Sequence, residues 1–152
     1  MAAVAERTHI RPLRRDERAA WEPLWQGYQA FYGVEIPAAT TEATWRRFHD
    51  RDEPVFALGA YADERLRGIV HYILHRSTWS IGGYCYLQDL FVADDARGLG
   101  LGRALIEAVY AAAKQAGASR VYWLTHETNT AARALYDKVA ERSGFIQYRT
   151  TL

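Results

Sequence analysis

The hydrophobic residues of this chain fall into short segments separated by polar turns, and several segments have the composition of β-strands. Two runs rich in β-branched and aromatic residues are separated by the polar residues 62–65, which predicts a β-hairpin. The predicted strands cover residues 10–14, 55–61, 66–75, 84–92, 120–125 and 145–150.

Between these strands, apolar residues recur at the spacing of an amphipathic helix. Trp21, Trp25, Tyr28 and Tyr32 lie on one face of such a helix. Pro23 falls near its start, where a proline is tolerated only in the first turn. Further helices are predicted over residues 41–49, 101–112 and 130–142.

Strands and helices alternate along the second half of the chain, which predicts a mixed α/β fold with helices on the faces of one sheet. A length of 152 residues is sufficient for one domain with a substantial core and short for two. We therefore expect a single domain over residues 10–152, preceded by a short, polar and disordered tail of residues 1–9.

The charge balance restricts the classes of partner. The 19 Lys and Arg nearly cancel the 18 Asp and Glu, so a formal charge of +1 gives no field that would favour nucleic acid or an anionic membrane. No stretch approaches the roughly 20 apolar residues of a membrane span. We expect no nucleic-acid partner, no membrane association and a cytoplasmic location.

The cysteine and histidine residues give no sign of a disulfide or a metal site. Cys85 is the single cysteine, and we expect it to be a small buried hydrophobic residue. His71 and His75 are four residues apart on a predicted strand, which places them about 13 Å apart. We therefore expect no bound metal. Either histidine could still line a substrate cleft, although a structural role is the more common one.

The segment from Leu87 to Gly102 carries the clearest chemical signal. It predicts a strand, a turn and a glycine-rich start of a helix, Arg97-Gly98-Leu99-Gly100-Leu101-Gly102. Glycines let a backbone approach a pyrophosphate closely, and free N–H groups at a helix start bind the anion. A Rossmann motif would need a third glycine where Arg103 stands, and a Walker loop would need Gly-Lys-Ser/Thr, which is absent. Both nucleotide-binding motifs are therefore excluded. The alternative is a turn that binds nothing.

In these motifs the chain resembles the GNAT superfamily of acetyltransferases. The family's Arg/Gln-x-x-Gly-x-Gly/Ala motif appears as Arg97, Gly100 and Gly102. Its Asn-x-x-Ala-x-x-Leu-Tyr motif appears between Asn129 and Tyr136, before a Gly-Phe pair. Both occur in the family's order and spacing. The segment around Gln88 is similar to the small polyamine and amine acetyltransferases, which typically carry Glu-Asp where this chain has Gln-Asp.

The resemblance implies a mostly antiparallel sheet of six to seven strands with about four helices, in which two central strands splay apart. It also implies acetyl-CoA as the donor substrate, with its pantetheine arm in the slot between those strands. There the backbone would pair with the arm like a missing strand. The implied acetyl-CoA contacts are Leu90, Phe91, Val92, Arg97, Gly98, Leu99, Gly100, Leu101, Gly102, Arg103, Asn129 and Tyr136.

Two residues are predicted to be catalytic. The resemblance places Tyr136 where its hydroxyl can give a proton to the departing CoA sulfur. The alternative is a core aromatic, because Tyr136 lies on an apolar helical stripe. A base must take a proton from the amine, and Asp89 is the remaining carboxylate in the motif because Gln88 replaces a glutamate. A structural hydrogen-bond acceptor is an equal interpretation of Asp89.

The acceptor is expected to be a primary amine of a small molecule, a polyamine, an amino acid or similar. Tyr32, Glu35 and Gln88 are its predicted contacts, since aromatic and acidic groups suit a cationic amine. The aromatic residues could instead belong to the core. Alternative functions are a non-catalytic acyl-CoA-binding module and an acetyltransferase acting on a protein lysine or N-terminus. The late strand, residues 145–150, predicts an exposed edge that favours a homodimer.

Overall fold

A computed structural model describes residues 7–152 of the chain. In chain order, its elements are β1 (Thr8–Pro12), a 3₁₀ turn (Arg15–Glu17), α1 (Arg18–Tyr32), α2 (Ala38–Phe48), β2 (Val55–Ala62), β3 (Arg65–His75), β4 (Tyr84–Val92), a 3₁₀ turn (Asp94–Ala96), α3 (Leu101–Gln115), β5 (Arg120–Tyr122) and α4 (Thr130–Val139). Strand β1 includes two residues of the predicted tail, whose first six residues lie outside the described part.

The five strands form one sheet in the order β1-β2-β3-β4-β5. The first three pairings are antiparallel, and β4 pairs with β5 in parallel. The predicted mixed sheet with four flanking helices is therefore confirmed, whereas six to seven strands is wrong. Residues 145–150, predicted as a strand, are exposed and pair with no described strand. The prediction rested on β-propensity, which does not determine whether a neighbouring strand is present.

Two hydrophobic layers cover the two faces of the sheet. One face packs against α3, whose buried side chains include Leu105, Ile106 and Val109. The other packs against α1 and α2 through a cluster that includes Trp21 and Trp45. None of the helices in residues 7–152 has the length and apolar character that a membrane span requires.

The predicted hairpin between β2 and β3 is confirmed. Asp63 and Glu64 in its turn have φ angles of 48° and 65°, as a two-residue type I′ turn requires. The Asp63 backbone N–H donates to the Arg7 carbonyl at 2.9 Å, and the Asp63 carboxylate accepts from the Arg7 N–H at 3.1 Å. These bonds tie the turn to the residue preceding β1.

The position predicted for Pro23 is wrong. Helix α1 begins at Arg18, so Pro23 is its sixth residue and lies beyond the first turn. A proline there lacks one helical hydrogen bond. Trp21, Leu24 and Trp25 are buried on either side of it, and their packing against the sheet offsets that loss.

Glu17 ties β1, the first 3₁₀ turn and β2 together. Its carboxylate accepts from the Arg11 guanidinium at 2.7 and 3.0 Å, from the Arg14 backbone N–H at 2.8 Å and from the Tyr61 hydroxyl at 2.8 Å. These donors, chiefly Arg11, lower the pKa of Glu17 from 4.5 to about 2. The ionised carboxylate is therefore favoured in the folded protein.

Glu17→Gln is expected to lower the free energy of unfolding at pH 7 by about 2 kcal/mol, because charge-assisted hydrogen bonds are lost. The folded-state pKa of Glu17 lies below its ordinary value, so its contribution is complete above pH 4.5 and is lost as the pH falls towards 2. Urea unfolding of both proteins between pH 7 and pH 2 should show their difference shrinking over that range.

Glu107→Gln is the matched control, because Glu107 pairs with Arg103 at 2.9 Å on an exposed helix surface. Its effect should stay below about 0.5 kcal/mol. An equal effect of the two substitutions would contradict a special role for Glu17.

Candidate active site

A one-residue irregularity in β4 decides which face of the sheet its carboxylate occupies. Cys85 and Leu87 point towards the α3 layer, as do Leu90 and Val92 further along. Simple alternation cannot place both pairs on one face, and the register of β4 against β3 shifts at this point. His71 pairs with Asp89 and the next residue of β3 pairs with Leu87, which leaves Gln88 as the extra residue of a β-bulge.

The bulge turns Asp89 towards α1 and onto His71. The His71 Nδ1 atom lies 2.9 Å from Asp89 Oδ2, and the Trp21 Nε1–H donates to His71 Nε2 at 3.0 Å. His71 is 3% exposed and Asp89 is 9% exposed. A carboxyl group is thus held in the interior of the protein, with His71 bound to it and Trp21 bound to His71.

Tyrosine side chains surround the remaining side of Asp89. Burial, and secondarily the Asp89 carboxylate, raise the pKa values of Tyr28, Tyr32 and Tyr86 above the ordinary value of 10.0. The shift of Tyr28 is the largest, and the Asp89 carboxylate contributes to it after burial. Asp89 and these three half-buried tyrosines together are called the recess below.

Close packing of α1 on β4 brings Tyr28 to this position. Gly27 lies against Phe91, and a Cβ atom at Gly27 would be 2.7 Å from the Phe91 ring. Any larger residue at position 27 would push the helix away from the strand. The glycine therefore permits the approach that sets the neighbouring tyrosine beside Asp89.

Strands β4 and β5 separate beside this recess. Their parallel pairing covers three residues and ends at Tyr86 and Tyr122. Beyond that point, Leu90, Phe91 and Val92 pair with β3 on one side, and no described strand pairs with their other side. This geometry agrees with the expected splayed central strands and leaves backbone groups available in the gap.

Helix α4 begins on the far side of the gap and carries Tyr136. The Tyr136 ring packs edge-on against Trp123, with the ring centroids 5.4 Å apart. Burial, and secondarily nearby Tyr32, raise its pKa to about 12. The raised pKa means that the Tyr136 hydroxyl keeps its proton at neutral pH. This hydroxyl makes no hydrogen bond within residues 7–152, so its O–H is a free donor.

The glycine-rich loop follows β4 and leads into α3. Gly98 and Gly100 have φ angles of 86° and 75°, which side-chain-bearing residues rarely adopt. A Cβ atom at either would meet no protein atom within 4 Å. Gly100 caps α3 without any side-chain hydrogen bond, so the first N–H groups of the helix face an open space suited to an anion.

The other predicted acetyl-CoA contacts lie at the ends of the same elements. Arg97 pairs with Asp94 at 3.0 Å, and Arg103 pairs with Glu107 at 2.9 Å, both on the exposed surface. Asn129 occupies the position before α4, and its side-chain amide donates to the Thr125 hydroxyl at 3.3 Å.

The predicted acceptor contacts are only partly brought together. Tyr32 packs against Tyr28, with the ring centroids 4.8 Å apart, and burial followed by the Asp89 charge raises its pKa. Gln88 is exposed on the bulge. Glu35 is exposed in the loop after α1 and forms no ion pair with the rest of the described chain.

His75 and Cys85 lie outside the recess. The His75 Nε2 atom is 2.7 Å from the Tyr122 hydroxyl at the sheet surface. Cys85 is fully buried, as expected, and burial raises its thiol pKa to about 11. Over residues 7–152 no group of three or more His, Cys, Asp or Glu side chains is arranged to hold a metal ion.

Sequence reasoning missed the buried polar chain at Asp89, in which His71 contacts the carboxyl group and Trp21 contacts His71. A signal was present, because His71 and Asp89 are polar residues in the largely apolar segments 69–74 and 84–92. The register that pairs them depends on the bulge, and no local pattern in the sequence marks a bulge.

Comparisons with known proteins identify the family of this chain. The sequence model of the Acetyltransferase (GNAT) family matches residues 16–140. The chain therefore belongs to the GNAT family and is an acetyltransferase. It is 33% identical over 148 residues to the D-amino-acid N-acetyltransferase HPA3 of Saccharomyces cerevisiae, covering 96% of this chain and 92% of the relative.

A second relative is the thialysine N-epsilon-acetyltransferase of Caenorhabditis elegans, 32% identical over 80 residues, which are 53% of this chain and 49% of the relative. Among solved structures, the aminoglycoside acetyltransferase meta-AAC0020 from a soil metagenomic sample has a TM-score of 0.78 at 18% identity, over 95% of this chain and 97% of that one. The structural likeness supports the fold. The superfamily expectation is confirmed, and the polyamine branch stays a prediction.

Proposed function

We propose that this enzyme transfers the acetyl group of acetyl-CoA to a primary amine of a small molecule, such as an amino acid or a polyamine. The observation that carries the proposal is the buried Asp89 carboxylate, which lies in a tyrosine-walled recess beside the gap between β4 and β5. On the other side of the gap, the Tyr136 hydroxyl supplies a free proton donor.

The recess suits an ammonium group. A carboxylate attracts the charge, and the faces of Tyr28, Tyr32 and Tyr86 add favourable cation–π contacts. Gln88 on the bulge and Glu35 beyond α1 are exposed, where they can contact the rest of an acceptor molecule. The names of the two relatives support this class, since D-amino acids and thialysine both carry primary amines.

The donor substrate is assigned to the gap and the glycine-rich loop. Members of the GNAT family use acetyl-CoA. Here Leu90, Phe91 and Val92 would pair with the pantetheine arm through their free backbone groups, with Asn129 opposite. The N–H groups from Gly98 to Arg103 would hold the pyrophosphate, and the open space at Gly98 and Gly100 supports this assignment.

The protein groups then divide the proton transfers between them. Asp89 takes one proton from the ammonium, which frees the nitrogen lone pair to attack the thioester carbonyl carbon. A carbon–nitrogen bond forms and the carbon–sulfur bond breaks. Tyr136 donates its proton to the sulfur as negative charge develops there. The second proton of the amine then reprotonates Tyr136. One proton ends on the CoA thiol and one in solvent.

We also propose that the enzyme acts as a homodimer in which residues 141–152 of one copy cover the exposed edge of the other. Phe145, Ile146 and Tyr148 in this segment are 78%, 75% and 89% exposed. Strand β5 pairs on one side only within the described chain, and no residue of α4 is fully buried. A strand added to β5 would bury apolar surface on both elements.

The function is tested by measuring CoA release with D- and L-amino acids, thialysine, polyamines, aminoglycosides and peptides. We expect turnover with a small primary amine. With that acceptor, Tyr136→Phe should lower kcat by about 10²- to 10⁴-fold while the affinity for acetyl-CoA changes little. Turnover with peptides alone, or acetyl-CoA binding with no turnover on any amine, would contradict the proposal.

Tyr110→Phe is the control for loss of a tyrosine hydroxyl. The Tyr110 hydroxyl donates to the Val139 carbonyl at 2.9 Å, so its loss should cost about 1 kcal/mol of stability and leave kcat within about threefold. The Tyr136 hydroxyl has no such bond, so Tyr136→Phe should unfold at nearly the wild-type temperature. A kcat within threefold for Tyr136→Phe would assign proton donation to water.

Gly100→Val is expected to weaken acetyl-CoA binding at least tenfold, about 1.4 kcal/mol, because its side chain would fill the anion space at the start of α3. Gly117→Val is the matched control. Gly117 has a similar φ of 81°, with no atom within 4 Å of an added Cβ, at the other end of the same helix. Calorimetry should show similar losses of stability but lost affinity only for Gly100→Val.

Light scattering should give twice the chain mass of 17.3 kDa at micromolar concentrations. Ile146→Asp is expected to shift the protein to the monomer, because it places a charge in the strand pairing. Ile81→Asp is the control, since Ile81 is fully exposed in the loop between β3 and β4. A wild-type protein that is monomeric at every micromolar concentration would contradict the dimer.

A further inference from the structure

The polar chain behind Asp89 has a fixed direction. The indole nitrogen of Trp21 is a donor only, so His71 Nε2 must accept its hydrogen bond at 3.0 Å. Nε2 then carries no proton, and the neutral imidazole has its proton on Nδ1. That Nδ1–H donates to Asp89 Oδ2 at 2.9 Å. One donor residue in the core thus determines the tautomer of the histidine.

His71 cannot itself reach an acceptor molecule. The rings of Trp25 and Phe48 lie 5.0 and 4.7 Å from the imidazole, centroid to centroid, and Trp21 closes a third side. The Trp21 hydrogen bond also blocks Nε2 as a route for a proton. A proton taken up by Asp89 therefore returns through the recess and does not pass through His71.

We propose that His71 is the positioning residue of the catalytic base, held by Trp21 in the single tautomer that can donate to Asp89. This inference rests on the proposed role of Asp89. A carboxylate with one oxygen bound to a fixed donor has its other oxygen directed to the open side, where Tyr28 and the amine lie.

The surroundings of Asp89 leave this task to His71. The titratable groups that face the carboxylate are His71 from β3, Tyr28 and Tyr32 from α1, and Tyr86 from its own strand. No arginine or lysine of the described chain forms an ion pair with it. The tyrosines lie on the side of the carboxylate where the acceptor amine would bind. His71 lies on its buried side.

The first test compares His71→Leu with His71→Asn. Leucine removes the donor, so we expect kcat to fall about tenfold and the acid limb of the kcat/KM profile to change. The KM for acetyl-CoA should stay within about twofold, because the histidine lies far from the glycine-rich loop in the fold. Asparagine can donate to Asp89 and accept from Trp21, so it should restore kcat to within about threefold.

Trp21→Phe keeps the inference testable if His71→Leu fails to fold. It removes the hydrogen bond to Nε2 and leaves His71 beside Asp89. Nitrogen NMR of the imidazole should show only the Nδ1–H form in the wild type. It should show uptake of a second proton at acidic pH in Trp21→Phe, together with a changed acid limb. A wild-type spectrum of the Nε2–H form would overturn the inference.

Asp89→Asn separates this inference from the proposed function. If Asp89→Asn retains wild-type kcat, the assignment of the base fails, and the role of His71 fails with it. If Asp89→Asn loses at least 10²-fold while folded His71→Leu keeps both the wild-type kcat and the wild-type pH profile, only the positioning role is overturned.

Discussion

The buried carboxyl group of Asp89 is the constraint on which this candidate active site depends, and the bulge at Gln88 is what makes its position possible. With regular alternation, Asp89 would share the face of Cys85 and Leu87 and would point into the largely apolar layer beneath α3. The extra residue turns the side chain to the face where His71 and the α1 tyrosines supply hydrogen-bonding groups.

The two substrate regions meet at the same end of β4. The strand loses its β5 neighbour after Tyr86, which opens the gap, and six residues later it ends at Val92. The glycine-rich loop and α3 follow directly, so the free backbone groups of the strand and the free N–H groups of the helix face a common space. In the proposed mechanism, one strand therefore provides the base, the edge of the slot and the approach to the anion site.

Much of this could be predicted from the sequence where the signal is local. Helix periodicity, the hairpin turn and the glycine-rich start of α3 each depend on residues close together in the chain. The sixth strand could not be judged in this way, because a strand needs a partner and residues 145–150 have none in the described chain. The link between His71 and Asp89 was hidden for a related reason, since a bulge changes the register without a residue pattern of its own.

The sequence leaves two interpretations of the aromatic stripe of α1 open, core packing and a wall of the acceptor site. The structure shows core packing for one part of the stripe, and the acceptor wall stays a prediction for the other. Trp21 and Trp25 are buried in the layer around His71, whereas Tyr28 and Tyr32 are half-buried and face the recess. Between the first and last of these residues the helix rises about 16 Å, enough to run from the core to the cleft.

The change from tryptophan to tyrosine along this stripe follows the chemistry required at each point. In the core, an indole N–H can only donate, which suits the unprotonated Nε2 of His71. At the recess, a phenol both donates and accepts, and its raised pKa, caused by burial and then by the Asp89 charge, keeps it neutral at neutral pH. A single helix face thus holds the histidine from behind and lines the site in front, so the position of α1 on the sheet couples the packing of the core to the placement of the base.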